Sequence, residues 1–381
     1  MQVYFDNAAT TPLHSEVIAV MHKYMLTHYG NPSSTHSKGR EARVELEKAR
    51  KKIASIVGAQ EKEIIFTSGG TEANNFILKS LALEGNIKRI ISSPLEHHSV
   101  LDSLDWIKEH TQVDVNYLNT DNNGHINIEQ LEELLQDAEP TLVSLIHGNN
   151  EIGNLIDLNR IGTICHNNNA LFHTDMVQTL GHYSINLKSL PIDFATSSAH
   201  KIHGPKGVGF MYINSKRSKI ESFIHGGTQE RGIRGGTENI IGIIGMAKAF
   251  ELGLNSLVQD QKHILTLKTR MLNGLIKNIP KAQFNGDSSN LETSLNNLIN
   301  LRLPGPKDDT YIFNLDLRGI ALSEGSACSS GASKGSHVLR AMGQTNEMYN
   351  NLRISFSKLN TTEEVDYALT VISEIAKDSL K

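Results

Sequence analysis

The stretch Thr196-Ser-Ser-Ala-His-Lys-Ile-His-Gly-Pro-Lys-Gly-Val-Gly-Phe210 connects two short apolar runs. One run, Ile192 to Ala195, precedes it, and the other, Val208 to Ile213, begins near its end. Both runs are bounded by turn residues and are therefore predicted to be strands. Lys201 lies between these strands, and the Gly-Pro pair that follows limits how far this lysine extends into solvent.

The neighbours of Lys201 are hydroxyl and imidazole side chains that can bind a phosphate group, namely Ser198, His200 and His203. A lysine in such surroundings suits a Schiff base with a phosphorylated aldehyde, pyridoxal phosphate (PLP). An isolated Ser-x-His-Lys sequence is more often a solvated loop. The interpretation of Lys201 therefore depends on the rest of the chain.

The composition is that of an ordinary globular protein of 381 residues, which is enough for one large domain and a smaller one. A net charge of -4 argues against direct nucleic-acid binding through bulk electrostatics. No signal peptide and no apolar stretch of membrane-spanning length are expected. The two cysteines, Cys165 and Cys328, predict a reducing, cytoplasmic environment and no thiolate zinc site or other metal centre.

Two helices are predicted near the N-terminus, one capped by Ser15 and one by Ser37. The second helix is expected to carry Val44, Ile53, Ile56 and Val57 on its buried face.

The central part of the chain alternates between strand and helix patterns. Predicted strands are 89–92, 113–118, 142–146 and 171–174, and predicted helices are 96–109, 129–137 and 157–168. This alternation favours an α/β fold with a mainly parallel sheet covered by helices on both faces.

Two domains are predicted. The large one covers residues 13–255, and residues 256–381 together with 1–12 form a smaller α+β domain, because the character of the sequence changes near 251–262. An apolar helix, Ile240 to Phe250, is expected to end the large domain, and a separate helix near 256–278 is expected to open the small one.

Ligands of such sheets bind beyond the carboxyl ends of the strands. His97, Asn150 and Lys201 follow predicted strands, and Asp175 ends one, with Gln178 close behind. Asp175 could pair with a protonated pyridine nitrogen, although an aspartate there is also a common helix N-cap. His97 could stack on an aromatic ring or move protons, although a lone histidine there is more often a cap or a surface residue.

Two glycine-rich stretches suit phosphate binding. Gly69-Gly70 joins a predicted strand to a helix that begins near Thr71, so backbone N–H groups, the helix dipole and a hydroxyl can converge on an anion. The second stretch, Gly226 to Thr237, supplies another hydroxyl at the start of a helix. The alternative for the first stretch is a structural turn between strand and helix, and the alternative for the second is a flexible linker.

The segment Ser323 to Ser333 consists almost entirely of small residues and is predicted to be a mobile loop. Its Cys328 is interpreted as a nucleophile delivered to a site, with a buried small residue as the alternative. Cys165 lies in an apolar helical pattern and is predicted to be inert packing. Arg353 begins a predicted strand and could bind a substrate carboxylate.

Taken in order, these motifs resemble the long-loop cysteine desulfurases of the class V aminotransferase family, which are PLP enzymes of fold type I. The resemblance runs nearly end to end and rests on the following segments: Asp6-Asn-Ala-Ala-Thr-Thr, Thr67-Ser-Gly-Gly-Thr-Glu, Glu96-His97, Asn149-Asn-Glu-Ile-Gly153, Asp175 with Gln178, Ser198-Ala-His-Lys-Ile-His-Gly-Pro-Lys-Gly207, Arg231-Gly-Ile-Arg-Gly-Gly-Thr237 and Gly325-Ser-Ala-Cys328.

The resemblance implies a mainly parallel seven-stranded sheet and conversion of L-cysteine to L-alanine, with the sulfur held on Cys328 as a persulfide. Lys201, Cys328 and His97 would be catalytic, and Arg353 and Asn150 would bind substrate. The implied PLP-binding residues are Gly70, Thr71, His97, Asn150, Asp175, Gln178, Ser198, His200, Lys201 and Thr237. Thr237 matches a residue that reaches the neighbouring subunit's phosphate, which implies a homodimer.

The resemblance also implies a protein that accepts the sulfur, either an iron–sulfur scaffold or an enzyme of transfer RNA or cofactor thiolation. Glu324 departs from the family pattern because it places a carboxylate near the thiol. Rival functions are a selenocysteine lyase or an aminotransferase of the same fold and, from another class, a sulfur-relay subunit without catalytic activity.

Overall fold

The structure, a computed structural model, describes residues 1–304, 310–325, 335–344 and 349–378. The strands are β1 (Val3–Tyr4), β2 (Ile64–Thr67), β3 (Arg89–Ser92), β4 (Asp114–Tyr117), β5 (Thr141–Ile146), β6 (Leu171–Asp175), β7 (Phe194–Ser198), β8 (Gly209–Ile213), β9 (Gln283–Phe284), β10 (Leu298–Pro304), β11 (Ile320–Ala321) and β12 (Tyr349–Ser355). The helices are α1 (Ser15–Thr27), α2 (Ser37–Val57), α3 (Gly70–Glu84), α4 (His98–His110), α5 (Ile128–Leu134), α6 (Leu158–Asn167), α7 (Ile240–Asn278), α8 (Thr310–Leu317), α9 (His337–Ala341) and α10 (Thr362–Asp378).

The central sheet has seven strands in the order β2-β8-β7-β6-β5-β3-β4. All of its neighbouring strands pair in parallel except β8, which is antiparallel to both β2 and β7. The predicted α/β fold with a mainly parallel sheet is thus confirmed. The carboxyl ends of β2, β3, β5, β6 and β7 consequently meet at one edge of the sheet.

A second, three-stranded antiparallel sheet has the order β12-β10-β9. Its apolar face packs with side chains of α7, α8 and α10 in a core that also contains Val3 and Phe5 from the N-terminus. The short strand β1 pairs in parallel with β11. The N-terminal segment is therefore attached to the C-terminal part of the chain.

The prediction of two helices around residue 253 is wrong, because α7 runs without a break from Ile240 to Asn278. Gly253, at the expected break, lies against the backbone of Gly181, whose carbonyl oxygen would be 3.2 Å from an added Cβ atom. Close packing explains this glycine better than a helix end does. The predicted boundary at residue 255 thus falls inside a continuous helix, and the division into two domains stays a prediction.

By length and composition, α7 could also cross a membrane, contrary to the expectation that no such stretch exists. Half of its most apolar window is buried inside the molecule. Ile243, Met246 and Phe250 belong to the main core. Burial in that core accounts for the apolar character of the helix.

Two N-terminal details also differ from expectation. The N-caps of α1 and α2 are His14 and His36, whose ring nitrogens accept backbone N–H groups, so Ser15 and Ser37 are the first helical residues. Val44 is 51% exposed, although Ile53 and Val57 are buried as predicted.

Candidate active site

A cavity of about 170 Å³ lies at the carboxyl edge of the main sheet. It collects ten of the residues predicted to form a site: Gly70, Thr71, His97, Asn150, Asp175, Gln178, Ser198, His200, Lys201 and Arg353. The N-terminal residues Ala8 and Ala9 form part of its wall. Strand ends, a helix start and the N-terminal segment thus converge on one space.

Lys201 ends a single turn of 3-10 helix, Ala199–Lys201, directly after β7. Its Nζ atom donates hydrogen bonds to the carbonyl oxygens of Ala8 and Ala9, the second at 2.8 Å. Gln178 Nε2 donates to the same Ala8 carbonyl at 2.9 Å. These contacts hold the N-terminal segment across the cavity and direct the amine into it.

Asp175 is the last residue of β6 and is 5% exposed. Its Oδ2 accepts a hydrogen bond from Asn74 Nδ2 at 2.7 Å, and its Oδ1 accepts one from the backbone N–H of Val177 at 2.9 Å. The same Asn74 amide donates to Ser99 Oγ at 2.9 Å. A buried carboxylate held by two donors has a defined direction, and it suits pairing with a cationic ring nitrogen.

His97 is both the N-cap of α4 and part of the cavity wall, so the two interpretations of this residue are compatible. Its Nδ1 accepts the backbone N–H of Ser99 at 3.1 Å, which leaves the proton of the neutral ring on Nε2. Burial lowers the pKa of His97; Asp175 acts in the opposite direction, and Lys201 adds to the lowering. The ring is therefore neutral near pH 7.

The anion cup forms between β2 and α3. Gly69 has a φ of 156°, and an added Cβ on Gly70 would lie 2.8 Å from Val177 Cγ2, so both positions need glycine. The N-terminus of α3 and the hydroxyls of Thr71 and Ser198 face the cavity. This cup fits a phosphate group by its backbone N–H groups and its helix dipole.

Burial, together with the nearby cations of Lys201 and Lys206, lowers the pKa of His200 to about 4. Its ring is therefore neutral near pH 7, and its Nδ1 lies 3.2 Å from Thr10 Oγ1. A neutral imidazole can donate one hydrogen bond to a phosphate without adding charge.

Arg353 lies on β12 and is 1% exposed. Its Nη2 donates to Asp6 Oδ1 at 2.9 Å, and its Nη1 donates to the carbonyl oxygen of Asn150 at 3.0 Å. Its Nε has no hydrogen-bond partner within the described parts of the chain. The guanidinium is thus held in place at the cavity wall and could bind a carboxylate.

Three predicted residues stand apart from this group. Thr237 is exposed and lies outside the cavity, in a loop beside Arg234 and Glu238. Cys328 and the loop around it lie outside the described residues. Cys165 is fully buried in the main core, and burial raises the pKa of its thiol, which confirms that it is inert packing.

Sequence reasoning missed Asn74 and Asp6 as site residues. Asn74 lies one turn after Gly70 on the buried side of α3, a position that points to a partner beneath the helix. Asp6 belongs to the segment Asp6-Asn-Ala-Ala-Thr-Thr, but the sequence assigns it no role of its own. Its contact with Arg353 joins positions that are 347 residues apart, and no local pattern signals it.

The residues of the cavity fit PLP. They supply an amine for its aldehyde, a buried carboxylate for its ring nitrogen and a cup for its phosphate. Lys201, Asp175 and the Gly69-Gly70 turn would hold these three parts. No cluster of three or more His, Cys, Asp or Glu side chains in the described ranges is arranged to hold a metal ion.

Comparisons with known proteins agree with this chemistry. Residues 3–368 match the family described as aminotransferase class-V. The cysteine desulfurase IscS of Methanosarcina thermophila is 40% identical over 98% of this chain and 92% of its own length. A solved structure of a NifS-like protein is 38% identical, with a TM-score of 0.90 and coverage of 99% of this chain and 100% of that one. A structure of SspA in complex with cysteine is 29% identical, with a TM-score of 0.81 and coverage of 95% and 100%.

The chain therefore belongs to the aminotransferase class-V family of PLP-dependent enzymes. Within that family its function is that of a cysteine desulfurase, and its fold is fold type I. The fold, the enzyme class and the cofactor expected from the sequence are confirmed.

Proposed function

We propose that Cys328 takes the sulfur of L-cysteine as a persulfide and passes it to an acceptor protein for iron–sulfur cluster assembly or for thiolation of transfer RNA or a cofactor. The observation that carries this proposal is the convergence of Lys201, Asp175 and Arg353 on one cavity. The similarity to a structure solved with cysteine supports L-cysteine as the substrate. The product left in the site is L-alanine.

Bound PLP supplies an electron-withdrawing ring that stabilises negative charge at the α-carbon of the substrate. Lys201 Nζ holds the cofactor before substrate arrives and then removes the α-proton, because it is the amine that faces the cavity. Asp175, oriented by Asn74, keeps the proton on the ring nitrogen. His97 would stack on the cofactor ring, and its Nε2 would assist proton transfer.

Arg353 orients the substrate by binding its carboxylate, and the cavity-lining Asn150 completes this side of the site. Gly70, Thr71, Ser198 and His200 line the cavity and would hold the phosphate, and Gln178, which also lines it, would lie near the ring. Both Lys201 and Gln178 contact Ala8, so the N-terminal segment closes the wall opposite the cup. Substrate bound here is shielded from water on several sides.

The sulfur leaves by attack of the Cys328 thiolate on the substrate sulfur. An S–S bond forms, the C–S bond breaks, and its electron pair stays with the carbon, which takes up a proton on the way to alanine. The product on the enzyme is a persulfide, Cys328–S–SH. The acceptor's own thiol or a reductant then removes the outer sulfur.

The enzyme acts as a cytoplasmic homodimer in this proposal. Thr237 is exposed and lies away from the cavity of its own chain, which is compatible with a hydroxyl that serves the phosphate of a partner subunit.

The chain offers a matched pair of variants, because it has only two cysteines. Cys328→Ala should still change its absorption spectrum when cysteine is added to the PLP-loaded protein but release no sulfide under dithiothreitol. Cys165→Ala should release sulfide at the wild-type rate. Wild-type sulfide release by Cys328→Ala would overturn the assignment of the sulfur to this residue.

A further inference from the structure

Glu151 is a buried carboxylate that does not line the cavity. It is 1% exposed and directly follows Asn150, which does line it. The backbone N–H of Glu151 donates to Asn149 Oδ1 at 2.9 Å, and its carbonyl oxygen accepts from Asn300 Nδ2 at 2.8 Å. The loop after β5 and the strand β10 therefore hold this residue from both sides.

The two described ends of the segment that contains Cys328 meet at the Glu151 carboxylate. Ser336 Oγ donates to Glu151 Oε2 at 2.5 Å. An added Cβ on Gly325 would lie 3.1 Å from the same oxygen and 3.5 Å from Ser336 Cβ. Ser336 is thus bonded to one oxygen atom of Glu151, and Gly325 lies beside the same atom.

The hydrogen bond from Ser336 is of the strong type. Its length of 2.5 Å lies at the short end of the range for a hydroxyl that donates to a carboxylate oxygen. Ser336 also caps α9, because its Oγ accepts the backbone N–H of Leu339 at 3.1 Å. One hydroxyl therefore attaches the start of α9 to the loop that carries Asn150.

The next residue makes a second attachment. His337 Nε2 donates to the backbone carbonyl of Glu96 at 2.9 Å, and its ring lies 4.4 Å from that of His98. His337 Nδ1 is 3.9 Å from Glu151 Oε1, and neither atom has a hydrogen-bond partner in the described ranges. The start of α9 is thus docked on the loops that present His97 and Asn150 to the cavity.

We propose that Glu151 is a positioning residue for sulfur transfer, which holds both ends of the cysteine-bearing segment against the wall of the active site. Cys328 follows Gly325 by three residues, and three residues of extended chain span about 10 Å. The position of Gly325 therefore limits where the thiol can reach. This inference rests on the proposed role of Cys328 and adds a second residue on which that role depends.

Holding a nucleophile in place accelerates its attack without changing how tightly the substrate binds. Glu151→Ala should therefore slow persulfide formation on Cys328 by about 10- to 100-fold, the usual effect of losing a charged hydrogen bond or of misplacing a reacting group. The dissociation constant of L-cysteine, read from the absorption of the PLP-loaded enzyme, should change less than about twofold, since no substrate-binding group is removed. Glu151→Gln keeps an oxygen acceptor for Ser336, so its rate of persulfide formation should lie between those of wild type and Glu151→Ala.

Glu63→Ala is the matched control, because Glu63 is another buried glutamate that lies outside the cavity. It also accepts a hydrogen bond from a serine hydroxyl, Ser215 Oγ, at 2.8 Å. Glu63→Ala should lower thermal stability and leave the rate of persulfide formation unchanged. Ser336→Ala should slow this step as Glu151→Ala does. The double variant should be no slower than either single one, because both remove the same contact.

The experiment is a single-turnover measurement of persulfide on Cys328 by mass spectrometry, with cysteine binding followed in the same samples. A wild-type rate in Glu151→Ala would overturn the inference, and so would equal losses in cysteine binding and persulfide formation. Additive effects of Glu151→Ala and Ser336→Ala would also contradict it. Persulfide formation in Cys328→Ala would instead refute the underlying function, so the two failures are distinguishable.

Discussion

At the scale of single residues, the site shows which contacts a local pattern can signal. Asp175 ends an apolar strand and Lys201 follows the next one, so the rule for ligands at strand ends finds both. The amide that orients Asp175 comes from Asn74, which is 101 positions earlier in the chain. Such a partner depends on how α3 packs on the sheet. The sequence therefore predicts the reacting groups better than the groups that orient them.

Asn74→Ala should weaken PLP binding by about tenfold, because a hydrogen bond to a charged group contributes roughly 1.5–3 kcal/mol, part of which water can replace. Titration of the apoprotein with PLP, followed by absorbance, measures this change. Asn75→Ala is the control, since the adjacent amide donates to backbone oxygens of Thr71 and Ser99. Equal PLP affinity in both variants would contradict the role given to Asn74.

At the scale of elements, α7 shows why the prediction of two separate helices in this region is wrong. The change in the sequence near 251–262 suggests two helices, one over 240–250 and one near 256–278. The first part of α7 packs in the main core and the later part packs against β10 and α10. The change in the sequence pattern thus reflects a change in what α7 packs against along one continuous helix. A sequence pattern alone does not distinguish two separate helices from one helix that packs against two different parts of the molecule.

The exposure of Val44 on α2 has a similar origin. The helical period places an apolar residue at this position, but the apolar residues of the buried face include Ala42, Leu46, Ile53 and Val57 and not Val44. Periodicity identifies a helix more reliably than it identifies each inward residue.

Lys268 on α7 should make the stability of the protein depend on pH in a way that can be measured. It is fully buried, its Nζ donates to Ser294 Oγ and to the carbonyl oxygen of Leu295 at 2.7 Å each, and burial lowers its pKa to about 7. The unfolded chain binds this proton up to a pKa of about 10.4. Between pH 7 and 10 the unfolded state thus holds more protons, so stability rises with pH.

The free energy of unfolding of wild type relative to Lys268→Met should therefore increase with pH, by at most about 1.4 kcal/mol per pH unit. Urea unfolding of both proteins at pH 7, 8 and 9 measures this difference. Lys262→Met, which changes an exposed lysine on the same helix, should show none. A pH-independent difference between wild type and Lys268→Met would show that the buried amine keeps its ordinary pKa.

At the scale of the whole molecule, the active site depends on parts of the chain that are far apart. Asp6 holds Arg353 from β12, while Ala8 accepts hydrogen bonds from Lys201 and Gln178 near the main sheet. The N-terminal segment thus connects the two sheets at the cavity. The sequence predicted that this segment packs with the C-terminal part, but its contacts with Lys201 need the folded arrangement.

The proposed dimer can be tested by the molecular mass of the protein in solution. Met25, Leu26 and Tyr29 on and after α1 are 57%, 69% and 77% exposed, and exposed apolar groups of this kind favour an interface. The PLP-loaded protein should sediment at about twice the 42.0 kDa of one chain. Leu26→Glu should shift it toward the monomer and weaken PLP retention. Lys262→Glu, at an exposed polar position of α7, is the control and should stay dimeric.

The most direct test of the proposed sulfur transfer is to mix the PLP-loaded wild-type protein with one equivalent of sulfur-labelled L-cysteine, without a reductant. Mass spectrometry of the Cys328 peptide and assay of alanine should then give one persulfide for each alanine formed, all on Cys328 and none on Cys165. Alanine formed without any sulfur on Cys328, or sulfur found on Cys165 instead, would contradict the account.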